Sequence, residues 1–135
     1  MSRLEVKIYY EDTDCGGVVY HANYLKYFER ARTEYFAERG FSVLEYMKRG
    51  IQFVVVRAEV IYNSPGKYGD ILVIESKIER MRRASLEFRQ TITRKDEDGM
   101  LVQGRIRLAC LNNEGQPTKL PAPLRKLQTK SGEPV

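Results

Sequence analysis

The side chains best suited to chemistry lie together near the N-terminus, in the segment YYEDTDCGGVVYHANY. It contains the carboxylates of Glu11, Asp12 and Asp14 and, after a Gly-Gly pair, His21, the single histidine of the chain. The glycines permit a tight turn because glycine tolerates positive φ. A helix that begins after this turn would present unpaired N–H groups, which bind an oxyanion. A carboxylate beside such donors is the combination that acyl transfer requires.

A thiol is the leaving group that suits such a site. An ordinary thiol has a pKa of about 8.5, so its thiolate leaves near neutral pH without strong acid help. An alkoxide or an amide nitrogen needs a proton donor, which a site built on one carboxylate, without a full Ser-His-Asp triad, does not supply. The residue types therefore favour hydrolysis of a thioester over hydrolysis of a peptide or an ordinary ester.

Structural interpretations of the same residues stay open. An Asp-x-Asp near a turn is often a cap or an Asx-turn, and a lone histidine at a helix start is often structural. Cys15, beside Asp14, is a weaker candidate nucleophile because no base remains for it once His21 is used elsewhere. The spacing alone does not decide between a structural turn and a catalytic one.

The elements that must hold this turn are predicted from the periodicity of apolar residues. Strands are predicted at 3–10, 53–62, 71–79, 84–94 and 101–111, and helices at 22–39 and between Ser42 and Gly50. Ser42 and Glu45 form a capping box, with Phe41 and Tyr46 as a hydrophobic staple. One long helix and a sheet linked by hairpin turns must bury each other's apolar faces. The sequence therefore predicts an α+β fold, a curved antiparallel sheet packed on one main helix.

The same periodicity predicts which side chains face the core. The long helix is predicted to bury a stripe formed by Leu25, Phe28, Ala31, Arg32, Tyr35 and Phe36. The first strand is predicted to turn one face inward, with Leu4, Val6, Ile8 and Tyr10. Later strands are predicted to bury Leu72, Ile74, Ile78, Leu86, Phe88, Ile92, Val102, Ile106, Leu108 and Cys110.

Length and cysteine content bound the class of protein. The 135 residues predict one domain, 1–135, with a flexible tail at about 125–135. Two cysteines and no export signal predict free thiols in a reducing, cytoplasmic compartment, and the residue spacing predicts no metal site. No apolar run approaches the ~20 residues that a membrane span needs, so no membrane insertion is predicted.

The net charge of +5 is unevenly distributed. Basic residues concentrate between 80 and 95, at Arg80, Arg82, Arg83, Arg89, Arg94 and Lys95, against the acid Glu87. Such a patch favours a phosphate-bearing ligand or an acidic partner protein, and a solvated strand face is the alternative. RNA binding would favour aromatic residues among the basic ones. Only Phe88 lies there, and it is predicted to face inward, so nucleic acid is not the predicted partner.

The motifs DTD, G-V-V-Y-H, A-N-Y and E-R-A-R occur together in YYEDTDCGGVVYHANYLKYFERARTEYF. This combination resembles the signature of the 4-hydroxybenzoyl-CoA thioesterase family, and most of all its YbgC branch of acyl-CoA thioesterases. The resemblance is close over 6–36 and extends over about 4–120. It implies the hotdog fold, an antiparallel sheet wrapped around one long helix. It also implies a homo-oligomer, a dimer or a tetramer, with active sites at the dimer interface.

The resemblance also implies roles for individual residues. Asp14 matches the family's catalytic carboxylate, a nucleophile or a general base. His21 matches the position that polarises the thioester carbonyl, through its amide, its ring or both. The expected substrate-binding residues are Tyr20, Asn23 and Tyr24 at the helix start and Arg82, Arg83 and Ser85 for CoA. No cofactor is implied beyond the CoA of the substrate, and an acyl carrier protein is an alternative carrier.

Two other functions fit some of these residues. A hotdog dehydratase acting on a 3-hydroxyacyl thioester would pair His21 with a carboxylic acid from the partner helix, Glu29 or Glu34, but it would leave the DTD motif unused. A non-catalytic module that binds acyl thioesters would use the arginine patch alone. The interpretation that uses most of the motif is hydrolysis of a small or medium acyl-CoA to the free acid and CoA.

Overall fold

The computed structural model describes residues 1–130, so 131–135, the end of the predicted flexible tail, lie outside the described residues. The strands are β1 Ser2–Lys7, β2 Gln52–Tyr62, β3 Ile71–Met81, β4 Ser85–Arg94 and β5 Met100–Leu111. The helices are α1 Asn23–Glu38, α2 Val43–Lys48 and α3 Ala122–Lys130, with a 3-10 turn at Tyr10–Asp12. All strand pairs are antiparallel, in the order β1-β3-β4-β5-β2. The predicted α+β class is confirmed.

The core lies between α1 and one face of the sheet. Helix α1 buries Tyr24, Tyr27, Phe28, Ala31, Arg32, Tyr35 and Phe36. All the inward positions predicted on β3, β4 and β5 are buried. Phe28 is fully buried over β5, where a Cβ on Gly104 would lie 2.8 Å from its Cε2 atom. Glycine at 104 is therefore what lets the helix approach the sheet this closely.

Two residues predicted to be buried lie on the surface. Leu25 is 42% exposed because its side of α1 faces a groove beside β2 and not the sheet. Tyr10 is 77% exposed because β1 ends at Lys7 and the chain enters the 3-10 turn. The strand thus ends before the apolar pattern does at Tyr10, whereas at Leu25 the helical pattern continues where the helix faces a groove.

Arg32 is buried on the α1 stripe, as predicted, and it belongs to a polar network. Its guanidinium donates to Oε1 of Gln90 at 3.1 Å. Nε2 of Gln90 donates to the carbonyl of Phe28 and to Oγ of Ser76, both at 2.9 Å. Desolvation lowers the pKa of Arg32 to about 10. This network ties α1 to β3 and β4 because a buried polar group must find partners inside the protein.

Helix α2 begins as the sequence predicts, with one difference. Oγ of Ser42 accepts the N–H of Glu45 at 3.1 Å, and the rings of Phe41 and Tyr46 stack with centroids 4.6 Å apart. The carboxylate of Glu45 lies 3.6 Å from Nζ of Lys48. The N-cap and the staple are therefore present, while Glu45 pairs with a lysine and does not complete the capping box.

Ser42→Ala is expected to lower the free energy of unfolding by about 1 kcal/mol, since it removes the acceptor for one orphan helix N–H. Urea denaturation, fitted with one m-value for the wild type and the variant, would measure the loss. Ser42→Asp is the matched control because a carboxylate oxygen can also cap, so it should stay near the wild-type stability. An alanine variant as stable as wild type would contradict the role of the cap.

Helix α3 was not predicted, and it occupies part of the expected flexible tail. It follows Pro121, and it buries Leu124 completely. The N–H of Leu120, itself buried, donates to the carbonyl of Arg83 at 2.9 Å. The chain before α3 is thus fixed to the turn between β3 and β4, which the local sequence does not reveal.

Strand β2 is at one edge of the sheet and carries exposed apolar residues. Val55, Val56 and Ile61 are each more than half exposed, at 52%, 55% and 59%. Between β2 and α1 runs a groove lined by Leu25, Lys26, Glu29, Arg30, Arg32, Val55, Ala58 and Ile106. Within residues 1–130, β2 pairs only with β5, so one row of its backbone groups is unpaired.

Candidate active site

A cleft of about 260 Å³ opens where the glycine turn meets the start of α1. Its lining combines Asp14, Val18 and Val19 of the turn with His21 and Tyr24, and with Tyr62, Asn63, Ser64 and Pro65 after β2. Asp14 and His21 are exposed, whereas Tyr24 is buried. The cleft therefore has an open, polar mouth and a more apolar floor.

The glycine turn presents the Asp14 carboxylate. Oδ1 of Asp14 accepts the N–H of Gly16 at 2.8 Å, which forms an Asx-turn. The backbone N–H of Asp14 donates to Val18 at 2.9 Å, and Gly17 adopts a φ of 79°. Glycine suits position 17 because side chains disfavour this conformation. The structural and the catalytic interpretations of Asp14 are thus compatible, since Oδ1 shapes the turn while the residue is exposed and lines the cleft.

A neighbouring loop, residues 63–70, supports the glycine turn. Val19 N–H donates to Gly66 O at 2.8 Å, and the N–H of Gly66 donates to the hydroxyl of Tyr24 at 3.0 Å. Arg94 clamps this loop, because its guanidinium reaches Oδ2 of Asp70 and the carbonyl of Pro65, each at 2.8 Å. Burial raises the pKa of the Tyr24 hydroxyl, so this group stays protonated at neutral pH.

The N-terminus of α1 is open toward the cleft. Its N-cap is Ala22, whose side chain cannot cap the helix, and the first turn contains no acidic residue. In the part of the chain that the structure describes, no group accepts a hydrogen bond from the backbone N–H of His21. An uncapped helix start combines free donors with the positive end of the helix dipole. This end can bind developing negative charge on a carbonyl oxygen.

Asn23 and Tyr20 have structural partners beside the cleft and do not line it. Nδ2 of Asn23 donates to the carbonyl of Asp12 at 2.8 Å, and the N–H of Tyr20 donates to the same carbonyl at 3.0 Å. The ring of Tyr20 lies 4.7 Å from the ring of His21. Both residues therefore tie the start of α1 to the acidic segment, and their contact with substrate stays a prediction.

The predicted CoA-binding residues lie elsewhere. Arg82 and Arg83 follow β3, whereas the cleft adjoins the loop that precedes β3. A strand of 11 residues at about 3.3 Å per residue separates the two places by roughly 30 Å. Ser85 begins β4, and its carbonyl accepts the N–H of Arg82 at 2.8 Å. One chain therefore does not bring these residues to Asp14.

Arg82 and Arg83 line a basic pocket of about 730 Å³. The remaining lining residues are Met81, Lys119, Ala122, Arg125 and Lys126, so the described lining has five cations and no acid. Lys119, Arg125 and Lys126 were missed by the sequence analysis because α3 itself was missed. Such a concentration of positive charge attracts phosphates.

Four cleft residues from outside the N-terminal motif were also missed. Tyr62, Asn63, Ser64 and Pro65 form the wall opposite His21, and no motif of the sequence assigned them a role. Glu29 and Glu34, the alternative partners of His21, do not line this cleft. Among residues 1–130, no group of three or more His, Cys, Asp and Glu side chains could hold a metal ion. None of the described helices is both long and apolar enough to cross a bilayer.

Together, the sheet, the single long helix and the cleft at its N-terminus define a protein of the hotdog class. The sequence profile described as Thioesterase superfamily matches residues 16–101. The chain belongs to this superfamily, and it is a thioester hydrolase.

Individual relatives agree with this assignment. The acyl-CoA thioester hydrolase YbgC of Escherichia coli O6:H1 is 41% identical over 110 residues, 82% of this chain and 81% of that protein. The acyl-CoA thioesterase YbgC of Haemophilus influenzae is 38% identical over 108 residues, 79% of this chain and 78% of that protein. The chain is therefore YbgC-like, as the motifs predicted.

Solved structures confirm the fold. A probable thioesterase from Bartonella henselae superimposes with a TM-score of 0.81 at 34% identity, covering 88% of this chain and 98% of its own. A 1,4-dihydroxy-2-naphthoyl-CoA thioesterase from Synechocystis superimposes with a TM-score of 0.90 and 98% coverage of both chains. Its identity of 20% makes this second likeness one of fold alone.

Proposed function

We propose that this protein is an acyl-CoA thioesterase that hydrolyses a small or medium acyl-CoA, aliphatic or aromatic, to the free acid and CoA. The observation that carries the proposal is the cleft lined by both the exposed Asp14 carboxylate and His21 at the uncapped start of α1. The names of the YbgC relatives support acyl-CoA as the substrate class.

The reaction needs an attacking group, and Asp14 supplies or activates it. As a general base, its carboxylate takes a proton from water while the water oxygen attacks the thioester carbon. As a nucleophile, the carboxylate itself attacks, and water then hydrolyses the mixed anhydride. In both routes the C–S bond breaks and CoA leaves as a thiolate.

The carbonyl oxygen gains negative charge as the attack proceeds, and the start of α1 stabilises it. The free N–H of His21 and the helix dipole act where this charge develops. The imidazole of His21 is exposed beside the same cleft, so it is a second candidate donor. Tyr24, with its hydroxyl occupied by Gly66, contributes a ring to the floor that contacts the acyl group.

The complete enzyme in this proposal is a homo-oligomer, and a dimer is the smallest form that completes the site. Arg82 and Arg83 are too far from Asp14 of the same chain to share one CoA with it, so the partner subunit supplies them. The unpaired edge of β2 and its exposed Val55, Val56 and Ile61 are the surface on which a second copy would pair.

The proposal is tested by thiol release from a panel of acyl-CoAs, namely acetyl, butyryl, hexanoyl, palmitoyl, benzoyl and 4-hydroxybenzoyl. The thiol reagent is added after quenching, because Cys15 is exposed and would react. Turnover of one or more members supports the proposal and identifies the acyl class. The absence of turnover across the panel, with an acyl carrier protein thioester included, would refute it.

Replacing Arg82 and Arg83 together by alanine is expected to raise KM for acyl-CoA about ten-fold with little change in kcat. A hydrogen bond to a charged group contributes about 1.5–3 kcal/mol, and 1.4 kcal/mol is a factor of ten in affinity. An acyl-pantetheine, which lacks the nucleotide phosphates, should show no difference between the variant and the wild type. Steady-state kinetics with both substrates measures this.

The control for that pair is Lys48→Ala with Arg49→Ala, which removes the same charge from α2, where both residues are exposed. Equal KM changes in the two double variants would indicate long-range attraction and not a phosphate site. A cytoplasmic location and a reaction that needs no added cofactor stay predictions of this proposal.

A further inference from the structure

Tyr62 is a cleft residue to which neither the motif nor the proposed mechanism assigns a task. It is the last residue of β2 and is 48% exposed. Its hydroxyl donates a hydrogen bond to the carbonyl of His21 at 3.3 Å. Its ring centroid lies 6.3 Å from that of His21, edge to face, and 5.8 Å from that of Tyr24. The Tyr62 side chain thus contacts the helix start twice, through a hydrogen bond of its hydroxyl and through packing of its ring.

The bond to His21 acts on the backbone that the mechanism uses. The carbonyl of His21 and the N–H of Ala22 belong to one planar peptide unit, so fixing the oxygen fixes the direction of the N–H. The same bond limits rotation between this unit and the preceding one, which contains the N–H of His21. A carbonyl that accepts a hydrogen bond also polarises its own peptide and makes the N–H a stronger donor.

The sheet determines where this hydroxyl lies. Tyr62 is paired with Val102 of β5, and the N–H groups of Asn63 and Ser64 both donate to the carbonyl of Leu101, at 2.8 and 3.1 Å. Backbone hydrogen bonds from two successive residues therefore fix the end of β2. Tyr62 comes from a rigid element, 41 residues away in sequence from the helix start that it contacts.

We propose that Tyr62 is a positioning residue for thioester hydrolysis, which holds the His21–Ala22 peptide so that the helix start presents its N–H groups to the oxyanion. This inference rests on the proposed function of the cleft. The hydroxyl of Tyr62 acts through the backbone. Its effect is felt when the thioester carbonyl oxygen of the substrate acquires charge, not when the substrate binds.

Tyr62→Phe tests the proposal, because it removes the hydroxyl and keeps the ring that packs between His21 and Tyr24. With the best acyl-CoA of the panel, kcat is expected to fall about three- to ten-fold, the size of one neutral hydrogen bond. KM, the melting temperature and the affinity for a thioether analogue of the same acyl-CoA should not change, because none of them involves an oxyanion.

Tyr68→Phe is the matched control, since Tyr68 belongs to the adjoining loop, is 62% exposed and does not line the cleft. It should behave as wild type. Tyr62→Phe with a kcat within about two-fold of wild type, or with a lower melting temperature and a raised KM, would overturn the proposal. If Tyr62→Phe is unaffected while Asp14→Asn is inactive, this inference alone fails. A wild type without thioesterase activity overturns the proposed function as well.

Discussion

Asp14→Asn is expected to lower kcat for acyl-CoA hydrolysis by about 10²- to 10⁴-fold, the range for loss of a positioned general base. An amide cannot take a proton from water and is a poor nucleophile, so both proposed routes fail. KM should change little, because the carboxylate acts on the attacking group and not on the bound CoA. Thiol release under saturating substrate measures the effect.

The substitution leaves the fold unchanged for a specific reason. Oδ1 of Asp14 accepts the N–H of Gly16 at 2.8 Å, and the side-chain oxygen of asparagine can accept the same bond. The melting temperature should therefore match that of the wild type. Glu11→Gln removes a charge from the same exposed segment, outside the cleft, and should retain full activity. Equal losses in both variants would point to net charge, and full activity of Asp14→Asn would remove Asp14 from the mechanism.

Phe28→Ala is expected to cost about 3–5 kcal/mol of unfolding free energy, the range for truncating a fully buried aromatic side chain. Phe28 is 0% exposed and lies between α1 and the sheet, directly over Gly104. The cavity left by the ring has no neighbour that can close it without moving α1. Urea unfolding would measure the change, with Leu44→Ala as the control, since Leu44 is 60% exposed on α2.

The pairing of Phe28 with Gly104 predicts a compensation. Gly104→Ala alone should cost about 1–3 kcal/mol, because its Cβ would meet the ring at 2.8 Å. In the Phe28→Leu background the same change should cost less, since leucine is smaller than the ring. A double-mutant cycle measures this coupling. Strictly additive losses would show that the helix and strand do not contact each other as described.

Local sequence predicts much of this fold because each element carries its own periodicity. The strands and α1 follow the alternation and the helical stripe, and residues such as Phe28 and Phe88 are buried as expected. The predictions fail where the position of a residue depends on contacts with another element. Leu25 fits the helical stripe but faces the groove beside β2, and the chain that leads into α3 is fixed by a backbone hydrogen bond from Leu120 to Arg83.

The candidate site likewise contains residues that the local sequence predicts and residues that only the fold brings in. Asp14, His21 and Tyr24 come from one short segment, so the sequence places them together. Tyr62 reaches the cleft only through the pairing of β2 with β5, which no local motif encodes. Arg82 and Arg83 do not join them within one chain because the length of β3 sets the distance.

The length of β3 also has a consequence for when the protein works. With Asp14 near one end of the strand and the arginines proposed to bind phosphate at the other, a newly made, solitary chain would not bring both to one molecule of substrate. In the proposed dimer, efficient use of acyl-CoA would begin when two chains meet. The abundance of the protein in the cell would then set its affinity for acyl-CoA, because a copy too dilute to meet another would work only at the raised KM expected of the Arg82 and Arg83 variant.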